Sequence, residues 1–125
     1  EKWQTSCTPN VLGIYLLNCA LKKASPIHAV DKRLTRQQKT WNVFFKKSKS
    51  LSVVTSNPAI QSKTVIAATG DPALIERVNG DAKKTGLLLG EGYGKLKSET
   101  FRIANFPAIK EGEIKKLMGF LRAYL

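Results

Sequence analysis

The chain passes from long apolar stretches of helical period to short β-branched runs and back. Over residues 11–21 nearly every position is apolar: Val11, Leu12, Ile14, Tyr15, Leu16, Leu17, Cys19, Ala20 and Leu21. Such a stretch predicts a helix that must be covered on several sides, by another domain or another subunit. Ser6, Cys7 and Thr8 lead into it; Thr8 can cap it and Pro9 suits its first turn. Lys22 and Lys23 close it with the sign the helix dipole favours. Ser25-Pro26 breaks the chain. Residues 27–47 predict a second, longer helix, with Val30, Leu34, Trp41, Phe44 and Phe45 near one face of a 3.6-residue period. Lys32, Arg33, Arg36, Lys39, Lys46 and Lys47 lie mostly elsewhere, as on a solvated helix face.

The period then shortens. Residues 51–55 and 64–68 are β-branched runs with turn residues between them, including Asn57-Pro58. Asp71-Pro72 places a capping carboxylate before a proline at the first helical position, and that helix should reach about Lys84, where Gly86 can close it. Residues 87–89 predict a short strand, followed by a Gly-rich loop and a strand through Phe101, Arg102 and Ile103 that Pro107 ends. Ile114, Leu117, Met118 and Leu121 mark a last amphipathic helix, with Glu111 and Glu113 in its first turn. The order α-α-β-β-α-β-β-α implies an α+β fold, a small mostly antiparallel sheet covered by helices. The first helix falls in a neighbouring layer, so residues 1–24 read as an interface segment and 25–125 as the domain proper.

Composition narrows the class. With 125 residues, 42% apolar and 8% aromatic, the chain can build one small globular core. It begins at Glu1, as a fragment, a trimmed domain or a processed chain would. No signal-peptide pattern precedes Trp3, and no apolar run reaches about 18 residues, so neither a leader nor a membrane span is expected. Cys7 and Cys19 form no C-x-x-C pair, and the lone His28 reads as a surface or capping residue without ligand-spaced partners. A zinc site is not expected, Cys19 reads as a small buried hydrophobe, and a reducing, cytoplasmic setting fits. The net charge of +12, from 21 Lys and Arg against 9 Asp and Glu, permits nucleic acid, anionic surfaces or phosphorylated small molecules as partners.

Arg102 is the leading candidate for chemistry. It alternates with Phe101 and Ile103, so if those two face the core the guanidinium faces away. A planar fork held by a strand suits a carboxylate, which it can clamp with two parallel hydrogen bonds. The plainer alternative is a surface arginine on a half-buried strand. Gly90-Glu91-Gly92-Tyr93-Gly94 is not a dinucleotide fingerprint, since it leads to a strand and opens no helix; its glycines let the backbone bend near a ligand or partner domain.

The run from Gly92-Tyr93-Gly94-Lys95-Leu96 to Phe101-Arg102-Ile103-Ala104 resembles the C-terminal part of class V aminotransferases, pyridoxal-phosphate enzymes of fold type I. Residues 101–125, and the segment from Thr8-Pro9-Asn10 to Leu17, look most like the phosphoserine aminotransferase branch; residues 25–86 match in element order more than in residues. The resemblance implies that 25–125 is the C-terminal small domain of a homodimeric enzyme. That enzyme would exchange an amino group between phosphoserine and 2-oxoglutarate in serine biosynthesis. It makes Arg102 the binder of the substrate α-carboxylate. It places Cys7-Thr8 on an Asn-Thr pair that reaches the cofactor phosphate, with Cys7 standing where the family has asparagine. It places Lys95 and Lys97 where the family often has a His-Arg pair for the substrate phosphate. Thr8 also reads as an ordinary helix cap, and the two lysines as part of a solvated loop. None of the lysines has the context of the Schiff-base lysine, so the chain alone is expected to be inactive.

Two rivals remain. An alanine- or serine-glyoxylate aminotransferase has a similar Gly-rich loop and Arg-Ile strand. A basic nucleic-acid-binding module fits the charge, although no RNA-binding aromatic motif, helix-turn-helix spacing or zinc pattern is present.

Overall fold

The computed structural model describes residues 7–125. The first six residues of the 1–24 segment, Ser6 among them, lie outside the described residues. The elements follow the expected order: α1 (Val11–Lys23), α2 (Ile27–Lys46), β1 (Leu51–Val53), β2 (Val65–Gly70), α3 (Pro72–Lys84), β3 (Gly90–Glu91), β4 (Thr100–Ala104) and α4 (Glu111–Leu121). The four strands form one antiparallel sheet in the order β1-β2-β4-β3.

The core sits on one face of this sheet. Ile66 pairs with Ile103 and Ala68 with Phe101 across β2 and β4. The alternation puts all four on the same side. Trp41 and Phe45 from α2, Ile75 and Val78 from α3, and Ile114 and Leu121 from α4 pack against them. Three helices therefore cover one face, as the α+β reading requires. On α2 the buried positions are Leu34, Gln37, Trp41 and Phe45, spaced at three and four residues as one helical face demands. The Arg33 guanidinium leaves the helix to donate to the Pro107 carbonyl at 2.5 Å, tying α2 to the turn after β4.

Helix ends follow local chemistry. Asp71 accepts from the Ala73 amide at 3.0 Å, with Pro72 beside it in the first turn of α3. Glu113 accepts from the Lys110 amide at 2.7 Å at the start of α4. Three sequence-based expectations are corrected. The cap of α1 is Asn10, not Thr8: its side chain accepts from the Gly13 amide at 2.8 Å, which leaves Pro9 outside the helix. The short strand expected at 87–89 lies at Gly90–Glu91 instead. Leu87 is held in the closure of α3, its amide donating to the Ala82 carbonyl at 2.8 Å. That six-to-one bond is the usual way a glycine-terminated helix satisfies its last carbonyls. Cys19 is partly exposed, not buried, because α1 buries none of its residues.

No helix among the described residues is long and apolar enough to cross a membrane. The apolar side chains of α1 stand open, Val11 at 71% and Leu12 at 66% exposure.

The C-terminal turn is fastened to α3 by a polar cluster. Asp81 accepts from Lys84 and from the Tyr124 hydroxyl, each at 2.9 Å, and Arg77 lies over the Tyr124 ring. The Lys84 and then the Tyr124 hydrogen bonds hold the Asp81 carboxyl below its ordinary value of 3.8. A carboxyl depressed on folding stabilises the native state above its unfolded pKa, and that contribution is lost as pH falls through the folded value. Asp81→Asn is therefore expected to lose less stability than wild type as pH drops below about 4, where the native carboxylate would be titrated. Urea unfolding at stepped pH between neutrality and pH 3 measures this, and identical slopes would show that the cluster contributes nothing.

Candidate functional site

The helices leave the other sheet face uncovered, and Arg102 stands there. Phe101 and Ile103 are buried at 0% and 2% exposure while Arg102 between them is half-exposed, as the alternation implied. Its cross-strand neighbours are Ala67 on β2 and Gly90 on β3. Both are small, so nothing on the adjacent strands crowds the guanidinium from the side. A Cβ at Gly90 would come 3.3 Å from Arg102 Cβ and 3.4 Å from its Nε, so the arginine stem lies directly across this glycine. Beyond Ala67, Val54, Val65 and Ile60 line an apolar groove.

The loop between β3 and β4 completes the site. Gly92 is buried against Thr100, and a Cβ there would fall 2.0 Å from the Thr100 hydroxyl and 2.7 Å from the Leu96 carbonyl. No side chain fits without moving the loop. Thr100 in turn donates to the Leu96 carbonyl at 2.6 Å, and Thr69 to the Glu99 carbonyl at 2.8 Å. The second half of the loop is thereby fastened to the sheet. From β3 the Glu91 carbonyl accepts from Arg102 Nε at 2.6 Å, and from the loop the Tyr93 ring lies under the guanidinium with Cζ 4.2 Å from the ring centroid. Neither Nη of Arg102 has a protein hydrogen-bond partner among the described residues. With Nε engaged, the Nη1–Nη2 edge is the one that can accept a carboxylate in parallel hydrogen bonds.

The other candidates are placed differently. Lys97 pairs with Glu91 at 3.1 Å, and this bond holds the Glu91 carboxyl below its ordinary value. Lys95 is exposed on the single turn Gly94–Leu96. Both lysines line a shallow cleft with Pro72, Glu76 and Asn79 of α3, and Arg102 does not contribute to it. Glu91 is the link, its carbonyl on Arg102 and its carboxylate on Lys97. Cys7 and Thr8 are exposed ahead of α1, and no hydrogen bond joins them to the Arg102 loop among the described residues.

No family model and no curated protein matches the sequence. Among solved structures, the chain is similar to a phosphoserine aminotransferase from Cytophaga hutchinsonii ATCC 33406, with a TM-score of 0.81 and 28% identity over 98% of its own length. The chain has the fold of a fold type I aminotransferase domain. It spans 34% of that aminotransferase chain.

Sequence reasoning reached Arg102 but missed Glu91, Gly90 and Tyr93 as its supports. Gly90 and the Glu91 carbonyl meet Arg102 only through strand register, which no local pattern shows. Tyr93 did carry a signal: an aromatic residue between two glycines has no apolar neighbour in sequence to pack with.

Proposed function

We propose that the chain is the C-terminal part of a pyridoxal-phosphate-dependent aminotransferase that exchanges the amino group of phosphoserine with 2-oxoglutarate in serine biosynthesis. The observation that carries this reading is the free Nη edge of Arg102 on the uncovered sheet face, in a domain whose fold matches an aminotransferase. Amino-acid and oxo-acid substrates share an α-carboxylate, and a fixed guanidinium serves both halves of an amino exchange. It also holds the substrate Cα in one place relative to the group that moves its proton.

Residues present here fit a contact to the cofactor. Asn10 caps α1, and the Thr8 hydroxyl, two residues ahead of that cap, has no hydrogen-bond partner among the described residues and can donate to a phosphate. Cys7 offers only a weak donor in place of an amide. When bound, the cofactor supplies the electron sink for chemistry at the substrate Cα. The reading assigns the lysine that anchors it to the rest of the enzyme. The same reading sets the domain boundary near Ser25. It covers the exposed apolar surface of α1 with the remaining chain and a second subunit of a homodimer. The cytoplasmic setting it includes suits the free thiols Cys7 and Cys19.

Lys95 and Lys97 are assigned to the substrate phosphate, with Lys95 the freer cation because Lys97 is shared with Glu91. In the full-length enzyme, changing both to Ala is expected to lower kcat/KM for phosphoserine about ten- to thirtyfold while leaving an unphosphorylated amino acid such as alanine nearly unchanged. Steady-state kinetics with both donors measure the selectivity. Equal losses would assign the lysines to holding the loop in shape, and no loss for either donor would favour the glyoxylate-type reading.

A further inference from the structure

We infer that Tyr93 is a positioning residue that fixes the plane of the Arg102 guanidinium, so that the Nη1–Nη2 edge meets an incoming carboxylate in one orientation; this rests on Arg102 being the carboxylate clamp. Tyr93 is 75% exposed, so burial in this domain does not account for an aromatic side chain there. Its ring instead lies on the guanidinium at 4.2 Å, a separation at which a cation is attracted to the π face. A half-exposed arginine on an open sheet face is otherwise free to sample several rotamers, and binding a carboxylate would have to order it. Two contacts remove that freedom. The Glu91 carbonyl holds Nε at 2.6 Å and fixes where the group sits. The Tyr93 ring fixes how it is turned.

The loop is built to deliver that ring. Gly92 on one side is pressed against Thr100 with no room for a side chain. Gly94 on the other takes a φ of 54°, which turns the chain away after the ring. Gly90 opens the floor on which the arginine stem lies. With the Tyr93 ring against the guanidinium and the backbone acceptor at Nε, the Nη edge is left to a ligand. A ligand group that uses this edge must be planar with two oxygens side by side, which is what a carboxylate offers. Because donor and acceptor both carry that group, Tyr93 acts equally on both, unlike a residue that reads a side chain.

The test is kinetic, on the full-length enzyme, with an amino donor and an oxo-acid acceptor measured separately. Tyr93→Ala is expected to raise KM for both by the same factor, about three- to tenfold, with kcat changed less than twofold. Tyr93→Phe keeps the ring and is expected to restore the wild-type KM. In an Arg102→Gln background, adding Tyr93→Ala should cost less than a further twofold, since the group it acts through is gone. Thermal melting of each variant checks that it is folded. The inference fails if Tyr93→Ala leaves both KM values unchanged while Arg102→Gln is damaging. It fails if only one substrate is affected, or if the Tyr93→Ala loss persists in full without the guanidinium. If Arg102→Gln itself changes nothing, the carboxylate clamp is overturned and Tyr93 with it.

Discussion

Phe101→Ala is expected to destabilise this domain by about 3–5 kcal/mol. The ring is fully buried; its strand neighbour Ala68 is too small to fill the space it would leave, and Glu91 is charged and held outside by Lys97. Ile75 and Val78 of α3 belong to the same core cluster, so the cavity would open beneath that helix. Stability for domains of this size is commonly about 5–15 kcal/mol, so the loss is a large share of the total. Urea unfolding followed by circular dichroism measures it. Arg102→Ala, one position along the same strand, removes a half-exposed side chain from the uncovered face and is expected to cost less than about 1 kcal/mol of stability. Similar costs for the two would mean that β4 does not separate a core face from an open face.

That contrast was legible in the sequence, because alternation along a strand is a local property. So was the element order: the turn chemistry at Ser25-Pro26, Asp71-Pro72 and Pro107 marks boundaries wherever the chain goes next. The regular spacing of Leu34, Trp41 and Phe45 likewise identifies the buried face of α2 without any knowledge of its partner. What local pattern could not supply was pairing. Leu87, Leu88 and Leu89 look more like a strand than Gly90 and Glu91 do. Only the glycine pair position opposite Arg102 leaves room for the arginine stem, and Leu88 is left 87% exposed. The cap of α1 was misassigned because threonine and asparagine both cap well, and two residues decide between them.

The candidate site divides in the same way. Arg102 shows itself through its neighbours on one strand. Its supports come from a different strand and from the loop, and become visible only once the register of Gly90 against Arg102 is known. The lysines show the same limit from the other side. Lys95 and Lys97 are close to Arg102 in sequence, yet their side chains line a cleft against α3 to which Arg102 does not contribute, with Glu91 as the connection. Sequence proximity measured the length of the loop and not the direction of its side chains.

Arg102→Ala in the full-length enzyme is expected to lower kcat/KM for both the amino donor and the oxo-acid acceptor by tens- to several-hundredfold. The free Nη edge can make two charge-assisted hydrogen bonds to a carboxylate, and losing them costs about 2–4 kcal/mol. Removing the side chain leaves the fold largely intact, because the guanidinium's protein contacts are one backbone carbonyl and one exposed ring. Cofactor binding should change little, since Thr8 precedes α1 and is no part of β4. Arg102→Lys should recover only part of the loss: an ammonium keeps the charge but offers a point where the carboxylate expects a fork, and it cannot hold the Glu91 carbonyl and two oxygens in one plane. Steady-state kinetics for each half of the exchange, with cofactor content measured by absorbance, separate these expectations. Unchanged kinetics in Arg102→Ala would make the residue an ordinary surface arginine on the open face of the sheet. A loss confined to one substrate would mean that Arg102 reads the side chain that distinguishes the two, and not the carboxylate they share.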